Sequence, residues 1–391
     1  MRLLFISAYW PRPNQPHPAL FEVDQLRALA EMGHDLDVWI FTPPWLAKDT
    51  FISPLDLGLN PERVGVKQIV LPRLPEQLSR SRVGALVNRL AAGLRMRSRL
   101  RKIERRDGVF EAVIVSGERN IGLSAKLWNL HNKRSAVMIV HGADPVLERL
   151  PSKFLQRYMG HSVNSGFSSV ILVGNRLRDY ALRTGYSGER IQIVPNGFRH
   201  PALPITGSRE PGGSIKIISV ARLIEVKGLD DALQALALMQ RTYPTLEWHF
   251  DIYGDGPERQ LLMNLTAKLG LSNQVQFHGS VPNETVLQGL KKADIFLLPS
   301  WNEAFGLAYL EAMAMGCAVI GCFENGAADI LTDGTDGRLV PPRDVGRLAE
   351  VLGELATDAK QREALTTAAK ENVKRFSWRA NARAVIEALN G

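Results

Sequence analysis

Two glutamates, Glu303 and Glu311, lie eight residues apart in the second half of the chain. Their stretch begins with an apolar run at Ile295–Leu298, typical of a buried parallel strand, and a helical pattern follows from about Ala304. Ligands of α/β proteins bind where such a strand ends and its helix begins. On a helix the two carboxylates would be about 12 Å apart, which lets them border one elongated ligand at two points.

Backbone donors are expected beside these carboxylates. The N–H groups of Phe305, Gly306 and Leu307 would face the same crevice, with the helix dipole behind them. A ligand with hydroxyl groups at both ends and negative charge between them suits this combination. A nucleotide-sugar has that layout.

Two cations, Arg222 and Lys227, follow a predicted strand at Ile215–Val220. Arginine offers a planar fork of donors and lysine a compact charge, so together they suit a diphosphate. Taken alone, the pair would be read as surface ion-pairing residues. Their place at the end of a parallel strand favours the phosphate interpretation.

Two further turns follow predicted strands. Gly254 and Gly256, after Trp248–Tyr253, would let the backbone come close to a ligand, although a glycine pair of this kind is a weak signal by itself. The turn from His278 to Pro282 could edge a base, with Val281 the expected contact.

In the first half, His141 follows the apolar run Ala136–Val140. A histidine that ends a strand and precedes a glycine is a candidate for substrate contact, and a purely structural role is the alternative.

Apolar runs and helical patterns alternate along the whole chain, which predicts an α/β protein with doubly wound parallel sheets. With 391 residues the chain is long enough for two such domains. We expect the first domain at 1–200 and the second at 201–376, with a linker at Pro201–Gly213. The predicted strands are at residues 2–8, 35–41, 112–116, 136–140, 170–173, 191–194, 215–220, 248–253, 275–277, 295–298, 318–320 and 339–340.

Composition excludes several classes of protein. An apolar fraction of 45% and a charged fraction of 23% are ordinary for a globular protein. Cys317 and Cys322 lack the His or Cys neighbours of a zinc site, so reduced thiols are expected, and no metal. The N-terminus lacks the pattern of a signal peptide, and no apolar run approaches the ~20 residues of a membrane span. A cytoplasmic location is expected.

The net charge of +8 is concentrated at residues 80–106, which hold ten Lys or Arg residues against one acid, Glu104. Apolar residues interleave with the cations, so the stretch predicts a basic amphipathic helix or helix pair suited to an anionic membrane surface. Packing of its apolar side on its own domain is the alternative. Nucleic-acid binding is disfavoured, because interleaved aromatic residues and a recognisable motif are missing.

Together these residues resemble the retaining family-4 glycosyltransferases, which have the GT-B fold of two Rossmann-like domains facing a cleft. The resemblance covers nearly the whole chain. It rests on the paired glutamates of EAFGLAYLE (303–311), on Arg222 and Lys227, on the turn GDGPE (254–258), on His141, and on the closing segments DGRLVPPRD (336–344) and RFSW (375–378).

The resemblance implies specific roles. Arg222 and Lys227 would stabilise the departing nucleoside diphosphate in place of a metal, and no cofactor is expected. Glu311 would hold the ribose hydroxyls. Glu303, with the nearby N–H groups, would hold the sugar, and His141 would touch it from the other domain. The last helix, 377–391, would cross back to the first domain.

The implied activity is transfer of a sugar from a UDP- or GDP-sugar to a glycan or lipid-linked acceptor, with retention of anomeric configuration. The loop at 11–21 departs from the family pattern because it lacks glycine, so the acceptor stays open. Asp329 stands where the family usually has glutamate. Another GT-B enzyme, such as a sugar-nucleotide epimerase, and a non-catalytic sugar-nucleotide-binding protein are the competing hypotheses.

Overall fold

The computed structural model divides the chain into two compact units. The first unit comprises Met1–Gly197 and Ser377–Gly391, and the second comprises Phe198–Phe376. The residues that the structure describes are 1–7, 10, 11, 20–42, 51–70, 94, 98, 99, 101–117, 134–142, 153, 166–199 and 213–391.

The first unit contains a seven-stranded sheet in the order β3-β2-β1-β4-β5-β6-β7, and every neighbouring pair is parallel. Its central strands are buried along almost their whole length, as expected for a sheet covered on both faces. The strands are β1 (Arg2–Ser7), β2 (Asp35–Thr42), β3 (Val64–Val70), β4 (Ala112–Ser116), β5 (Ser135–Val140), β6 (Ser169–Leu172) and β7 (Ile191–Ile193).

The second unit contains a six-stranded parallel sheet in the order β10-β9-β8-β11-β12-β13. Its core joins the sheet to the apolar faces of the flanking helices, with side chains such as Phe250, Leu236 and Leu352 fully buried. The strands are β8 (Ile215–Val220), β9 (Trp248–Tyr253), β10 (Val275–Gly279), β11 (Ile295–Leu297), β12 (Ala318–Cys322) and β13 (Arg338–Val340).

Among the described residues, helices connect β1 to β2, β6 to β7, and each successive pair of strands from β8 to β12, as the alternating pattern predicts. The helices with described bounds are α1 (Leu20–Glu31), α2 (Leu177–Arg183), α3 (Leu229–Thr242), α4 (Arg259–Lys268), α5 (Asn283–Lys292), α6 (Leu307–Met315), α7 (Val345–Thr357), α8 (Ala359–Asn372) and α9 (Trp378–Asn390). Residues 101–107 are also helical.

The predicted α/β class with two doubly wound parallel sheets is confirmed. One strand, β3, was not predicted, because Gly65, Lys67 and Gln68 interrupt its apolar pattern. Within the described strands it pairs with β2 alone and is therefore an edge strand, which needs fewer buried side chains than a central one. Cys317 and Cys322 are both buried and are thiols rather than a disulfide, as expected.

Three other predictions lie mostly outside the described residues. These are the linker at 201–213, the glycine-free loop at 11–21 and the basic stretch at 80–106, of which only 94, 98, 99 and 101–106 are described.

The last helix, α9, belongs to the first unit and packs on α1. The Ser377 side chain caps it by accepting a hydrogen bond from the Ala380 N–H at 3.1 Å. Asn381 accepts from Gln25 and donates to the carbonyl of Pro195, each at 2.7 Å. A Cβ on Gly197 would lie 2.5 Å from the Trp378 Cα, so the absence of a side chain there permits this close packing.

Candidate active site

The turns after β8, β9 and β10 are hydrogen-bonded to one another at the carboxyl edge of the second sheet. The Leu223 N–H donates to the carbonyl of Asp255 at 3.0 Å, and the Gly254 N–H donates to the carbonyl of Gly279 at 2.8 Å. These bonds join three loops into one backbone surface at the place where parallel sheets bind ligands.

Glycine is required in the second of these turns. Gly254 has a φ of 128°, and a Cβ there would lie 1.9 Å from the carbonyl oxygen of Ala221. A Cβ on Gly256 would lie 2.3 Å from the carbonyl oxygen of Leu223. Both glycines therefore allow the turn after β9 to lie directly on the turn after β8.

The two predicted cations occupy the turn after β8. The Arg222 side chain is exposed and forms no ion pair within the described residues. Lys227 ends the short 3-10 helix Glu225–Lys227, and Gly228 follows with a φ of 64°. A Cβ on Gly228 would lie 2.3 Å from the carbonyl oxygen of Pro299, so this glycine lets the Lys227 turn approach the loop after β11.

That approach brings Lys227 to Glu303, 76 residues later in the chain, and the two side chains form an ion pair. Each side chain is only 16% exposed, so both charged groups are partly shielded from water. The predicted helix start was wrong. The helix α6 begins at Leu307 rather than near Ala304, so Glu303 lies in the loop before it and the helical spacing to Glu311 does not apply.

The loop between Glu303 and α6 is fixed by a buried side chain and by a backbone hydrogen bond. Gly306 has a φ of 96° and serves as the N-cap residue of α6, with Leu307 as the first helical residue. The Phe305 ring is buried and lies edge-on against Phe376, so its side chain anchors the loop. The Gly326 N–H donates to the carbonyl of Glu303 at 2.9 Å.

Glu311 lies in the middle of α6. Burial raises the pKa of its carboxyl group to about 7, because water is largely excluded from it. Among the described residues its carboxylate has no hydrogen-bond or ion-pair partner. A buried carboxylate without partners is costly, and a ligand that supplies hydroxyl donors would compensate for it.

An aromatic pair lies at the carboxyl ends of β9 and β10, so His278 belongs to the strand and the turn begins after Gly279. The rings of Tyr253 and His278 are stacked, with centroids 4.2 Å apart and planes 7° apart, and His278 Nε2 lies 2.6 Å from Asp251 Oδ1. Val281 follows in this turn and is half-buried.

His141 lies in the first unit, directly after β5. Its Nε2 is 3.0 Å from Ser116 Oγ, and its Nδ1 is buried without a hydrogen-bond partner in the described part of the chain. The ring is 4.7 Å from the Phe21 ring. Burial lowers the pKa of His141 to about 4, so the imidazole is neutral at physiological pH.

Two family models match consecutive parts of the chain. The model of the glycosyl transferase 4-like domain matches residues 23–197, and the model of glycosyl transferases group 1 matches residues 206–372. The chain belongs to the group 1, family-4-like glycosyltransferases.

Two bacterial proteins are among those similar in sequence to this chain. An exopolysaccharide phosphotransferase of Streptomyces coelicolor is 36% identical over 49% of this chain and 20% of its own length. A D-inositol 3-phosphate glycosyltransferase of Corynebacterium urealyticum is 35% identical over 44% of this chain and 42% of its own. The chain therefore spans less than half the length of each of these relatives.

Solved structures share the GT-B fold over the whole chain. HepE of Anabaena, in complex with UDP and glucose, superposes with a TM-score of 0.71 at 18% identity, over 100% of this chain and 99% of its own. A glycosyltransferase of Rickettsia africae superposes with a TM-score of 0.76 at 16% identity, over 100% of this chain and 97% of its own. At these identities the likeness establishes the fold.

One buried carboxyl group, that of Glu22, was not predicted from the sequence. Glu22, in α1, is 1% exposed and accepts hydrogen bonds from Ser7 Oγ at 2.7 Å and from Ser116 Oγ. Burial raises its pKa to about 7. Its position between the apolar Phe21 and Val23, on the inward face of an amphipathic helix, was the available signal.

A second missed residue is Arg343, which braces the Lys227 turn. It has a φ of 64°, its guanidinium lies 4.8 Å from the centre of the Trp301 ring, and it pairs with Glu225 at 3.3 Å and Asp230 at 3.1 Å. Glu225 begins the 3-10 helix that ends at Lys227, and Asp230 lies in the first turn of α3, so Arg343 ties the residues on either side of Lys227 to Trp301 in the loop after β11.

Within the described ranges, no group of three or more His, Cys, Asp or Glu side chains is arranged to hold a metal ion. In the same part of the chain, no helix is both long and apolar enough to cross a bilayer.

Proposed function

We propose that this chain transfers a sugar from a UDP- or GDP-sugar to a glycan or lipid-linked acceptor. The transfer would retain the anomeric configuration and would need no metal or other cofactor. We place the reaction in bacterial cell-surface or exopolysaccharide synthesis, in the cytoplasm and at the inner face of the membrane. Support comes from the family membership, from the UDP and glucose in the HepE complex, and from the name of the Streptomyces relative.

The observation that carries the proposal is the Lys227–Glu303 pair, with the exposed Arg222 in the same turn after β8 as Lys227. In this proposal Arg222 and Lys227 neutralise the diphosphate as it departs. This work requires fixed positive charge where negative charge develops. The glycine turns at 254 and 256 let the backbone come close to the phosphates.

The carboxylates serve the two ends of the donor. Glu311 accepts hydrogen bonds from the ribose hydroxyls, which compensates for its burial without a partner among the described residues. Glu303, with the N–H groups of Phe305, Gly306 and Leu307, binds the sugar hydroxyls. His141 contacts the sugar as a neutral imidazole, and Val281 borders the base.

The test is thermal unfolding of the wild type and of Arg222→Ala with UDP, GDP and ADP in turn. Ligand at a hundred times its dissociation constant should stabilise the protein by about 2.7 kcal/mol. We expect a shift with UDP or GDP that is lost in Arg222→Ala. No shift with any nucleotide would refute donor binding and favour a protein without this catalysis.

Product analysis separates transfer from epimerisation. NMR of the reaction mixture with donor and candidate acceptors should show an α- or β-linked product with the donor's own anomeric configuration. An epimerised donor formed without any acceptor would instead identify a sugar-nucleotide epimerase.

Membrane association is proposed for the basic stretch 80–106. Co-sedimentation with anionic vesicles should weaken when Arg95, Arg97, Arg99 and Arg101 are replaced by glutamine, because each cation near the surface contributes about 1 kcal/mol. Equal sedimentation of wild type and variant would contradict the proposal.

A further inference from the structure

A chain of buried hydrogen bonds crosses the carboxyl edge of the first sheet. Ser7 ends β1 and Ser116 ends β4, and the two residues are register partners on adjacent parallel strands. Both hydroxyls contact the carboxyl group of Glu22, and Ser116 Oγ also lies 3.0 Å from His141 Nε2. Glu22, Ser7 and Ser116 are each 1% exposed or less.

Counting protons sets the direction of each bond. An ionised carboxylate accepts only, so both serines must donate to Glu22. The Ser116 hydroxyl has one proton, and that proton is then committed to Glu22. Its oxygen can only accept from the imidazole, which requires the proton of the neutral ring to be on Nε2.

The position of the proton on Nε2 also determines the state of the other ring nitrogen, Nδ1 of His141. With the proton on Nε2, Nδ1 is a bare acceptor, and it is buried without a hydrogen-bond partner among the residues that the structure describes. Buried polar atoms are nearly always satisfied, so an acceptor that no described residue satisfies leaves a place for a hydrogen-bond donor of a ligand.

We propose that Glu22 is a positioning residue that acts through Ser116 to hold His141 as the Nε2–H tautomer, so that Nδ1 accepts a hydrogen bond from a hydroxyl of the substrate. Protonation of Glu22 frees the Ser116 proton and releases this constraint. The part that assigns the sugar hydroxyl to Nδ1 rests on the proposed function. The control of the tautomer does not.

The surroundings contain no competing charge among the described residues. The pKa of Glu22 is shifted by burial and by the hydrogen bonds from Ser116 and Ser7, and the pKa of His141 by burial. On α1, Asp24 and Arg27 pair with each other, and Gln25 bonds to Asn381 of α9. Phe21 covers the imidazole.

The experiment is nitrogen NMR of the full-length protein labelled at its eight histidines, with the His141 signals assigned through His141→Gln. Nitrogen shifts distinguish the two tautomers without any substrate. We expect the wild type to show the Nε2–H form at pH 8.5 and to lose this single form as the pH falls through about 7, the pKa of Glu22.

Three variants distinguish the proposed effect of Glu22 on His141, acting through Ser116, from a non-specific effect of substitution on the structure. Ser116→Ala removes the link and Glu22→Gln removes the titration, so each should abolish the pH response of the His141 tautomer. Ser7→Ala changes the other oxygen of Glu22 and should keep the response, at higher pH, because it removes a bond to the ionised form.

An Nδ1–H tautomer at pH 8.5, a tautomer independent of pH in the wild type, or a response that survives in Ser116→Ala would overturn the proposal. Binding of the donor is read separately. If the tautomer responds to pH as expected but no nucleotide stabilises the protein, the proposed function is refuted, and the control of the His141 tautomer by Glu22 is not affected. Where both hold, a hydroxyl donor at Nδ1 should change the His141 nitrogen shifts when the UDP-sugar is added, and not when UDP is added.

Discussion

The candidate site combines charged side chains that are costly to bury with contacts that make the burial tolerable. Glu311 has no partner among the described residues, and its raised pKa reports the cost directly. Lys227 and Glu303 reduce their cost by pairing with each other. An unliganded protein therefore carries unfavourable electrostatics at Glu311 and a self-paired lysine, and a ligand with hydroxyls and phosphates would relieve both.

Glu311→Gln should stabilise the protein at high pH. Because the folded-state pKa is raised, the folded protein holds this proton more strongly, and stability falls as the pH rises from about 4.5 through about 7. Relative to the wild type, the variant should gain on the order of 2–3 kcal/mol at pH 8 and little at pH 4. Urea unfolding at both pH values measures this.

Glu363→Gln is the matched control, since Glu363 is exposed in α8 and should change stability little at either pH. A gain of equal size at pH 4 and pH 8 in Glu311→Gln would contradict the burial argument. Nucleotide affinity should fall in Glu311→Gln, since an amide oxygen accepts ribose hydroxyls less strongly than a carboxylate.

Glu303→Gln should tighten UDP binding while it reduces sugar transfer. The change releases Lys227 from its ion pair and removes a negative charge near the phosphates, so we expect a several-fold lower UDP dissociation constant by calorimetry. Under the proposed function, transfer should fall at least ten-fold because the sugar loses a carboxylate contact. In a Lys227→Met background the gain in UDP affinity should largely disappear, and an undiminished gain would show that the pair is irrelevant.

At the scale of elements, the site is made by turns that lie on one another. The turn after β9 lies on the turn after β8, and Gly228 touches the loop after β11. These contacts are backbone to backbone, so they depend on glycine more than on side-chain chemistry. Arg343 adds a side-chain brace to the same segment.

Gly254→Ala should therefore lower the free energy of unfolding much more than an ordinary glycine substitution does. Its Cβ would lie 1.9 Å from a carbonyl oxygen, so the two turns must separate, and we expect a loss of about 3 kcal/mol or more in urea unfolding. Gly270→Ala, also at positive φ but with open space around its Cβ, should cost about 1 kcal/mol. Equal losses would mean that backbone conformation alone matters.

At the scale of the molecule, each unit has its own sheet, and the chain leaves the first unit at Gly197 and returns to it at Ser377. The returning helix α9 is held by Asn381, which joins α1 to the end of the first stretch at Pro195. Stability of the first unit thus depends on the last residues of the sequence.

Asn381→Ala should destabilise the first unit selectively. It removes two buried hydrogen bonds and leaves the Pro195 carbonyl and the Gln25 amide unpaired, a loss of about 2–3 kcal/mol. Native-state hydrogen exchange should show faster opening of β1, β4 and β5, with the β8–β12 amides unchanged. Asn390→Ala, exposed at the end of the same helix, is the control. Equal acceleration in both units would show that they unfold as one.

Much of the architecture is legible in the sequence because it is encoded by neighbours along the chain. Apolar runs such as Ala112–Ser116 and Ile295–Leu297 satisfy the pattern of a buried parallel strand locally, and turn glycines mark where each strand ends. The cations at 222 and 227 could be assigned to a strand end for the same reason. The edge strand β3 escaped because a strand with one neighbour does not need a continuous apolar pattern.

Pairing across the fold could not be read in this way. The Lys227–Glu303 ion pair joins residues 76 apart, and the Ser116–Glu22 bond joins residues 94 apart. Both depend on strand order, because β4 lies beside β1, and β11 beside β8, in space but not in sequence. The local pattern thus identified the chemical groups and the edge of the sheet, whereas folding selected their partners and their protonation states, since burial and distance arise only when remote segments come together.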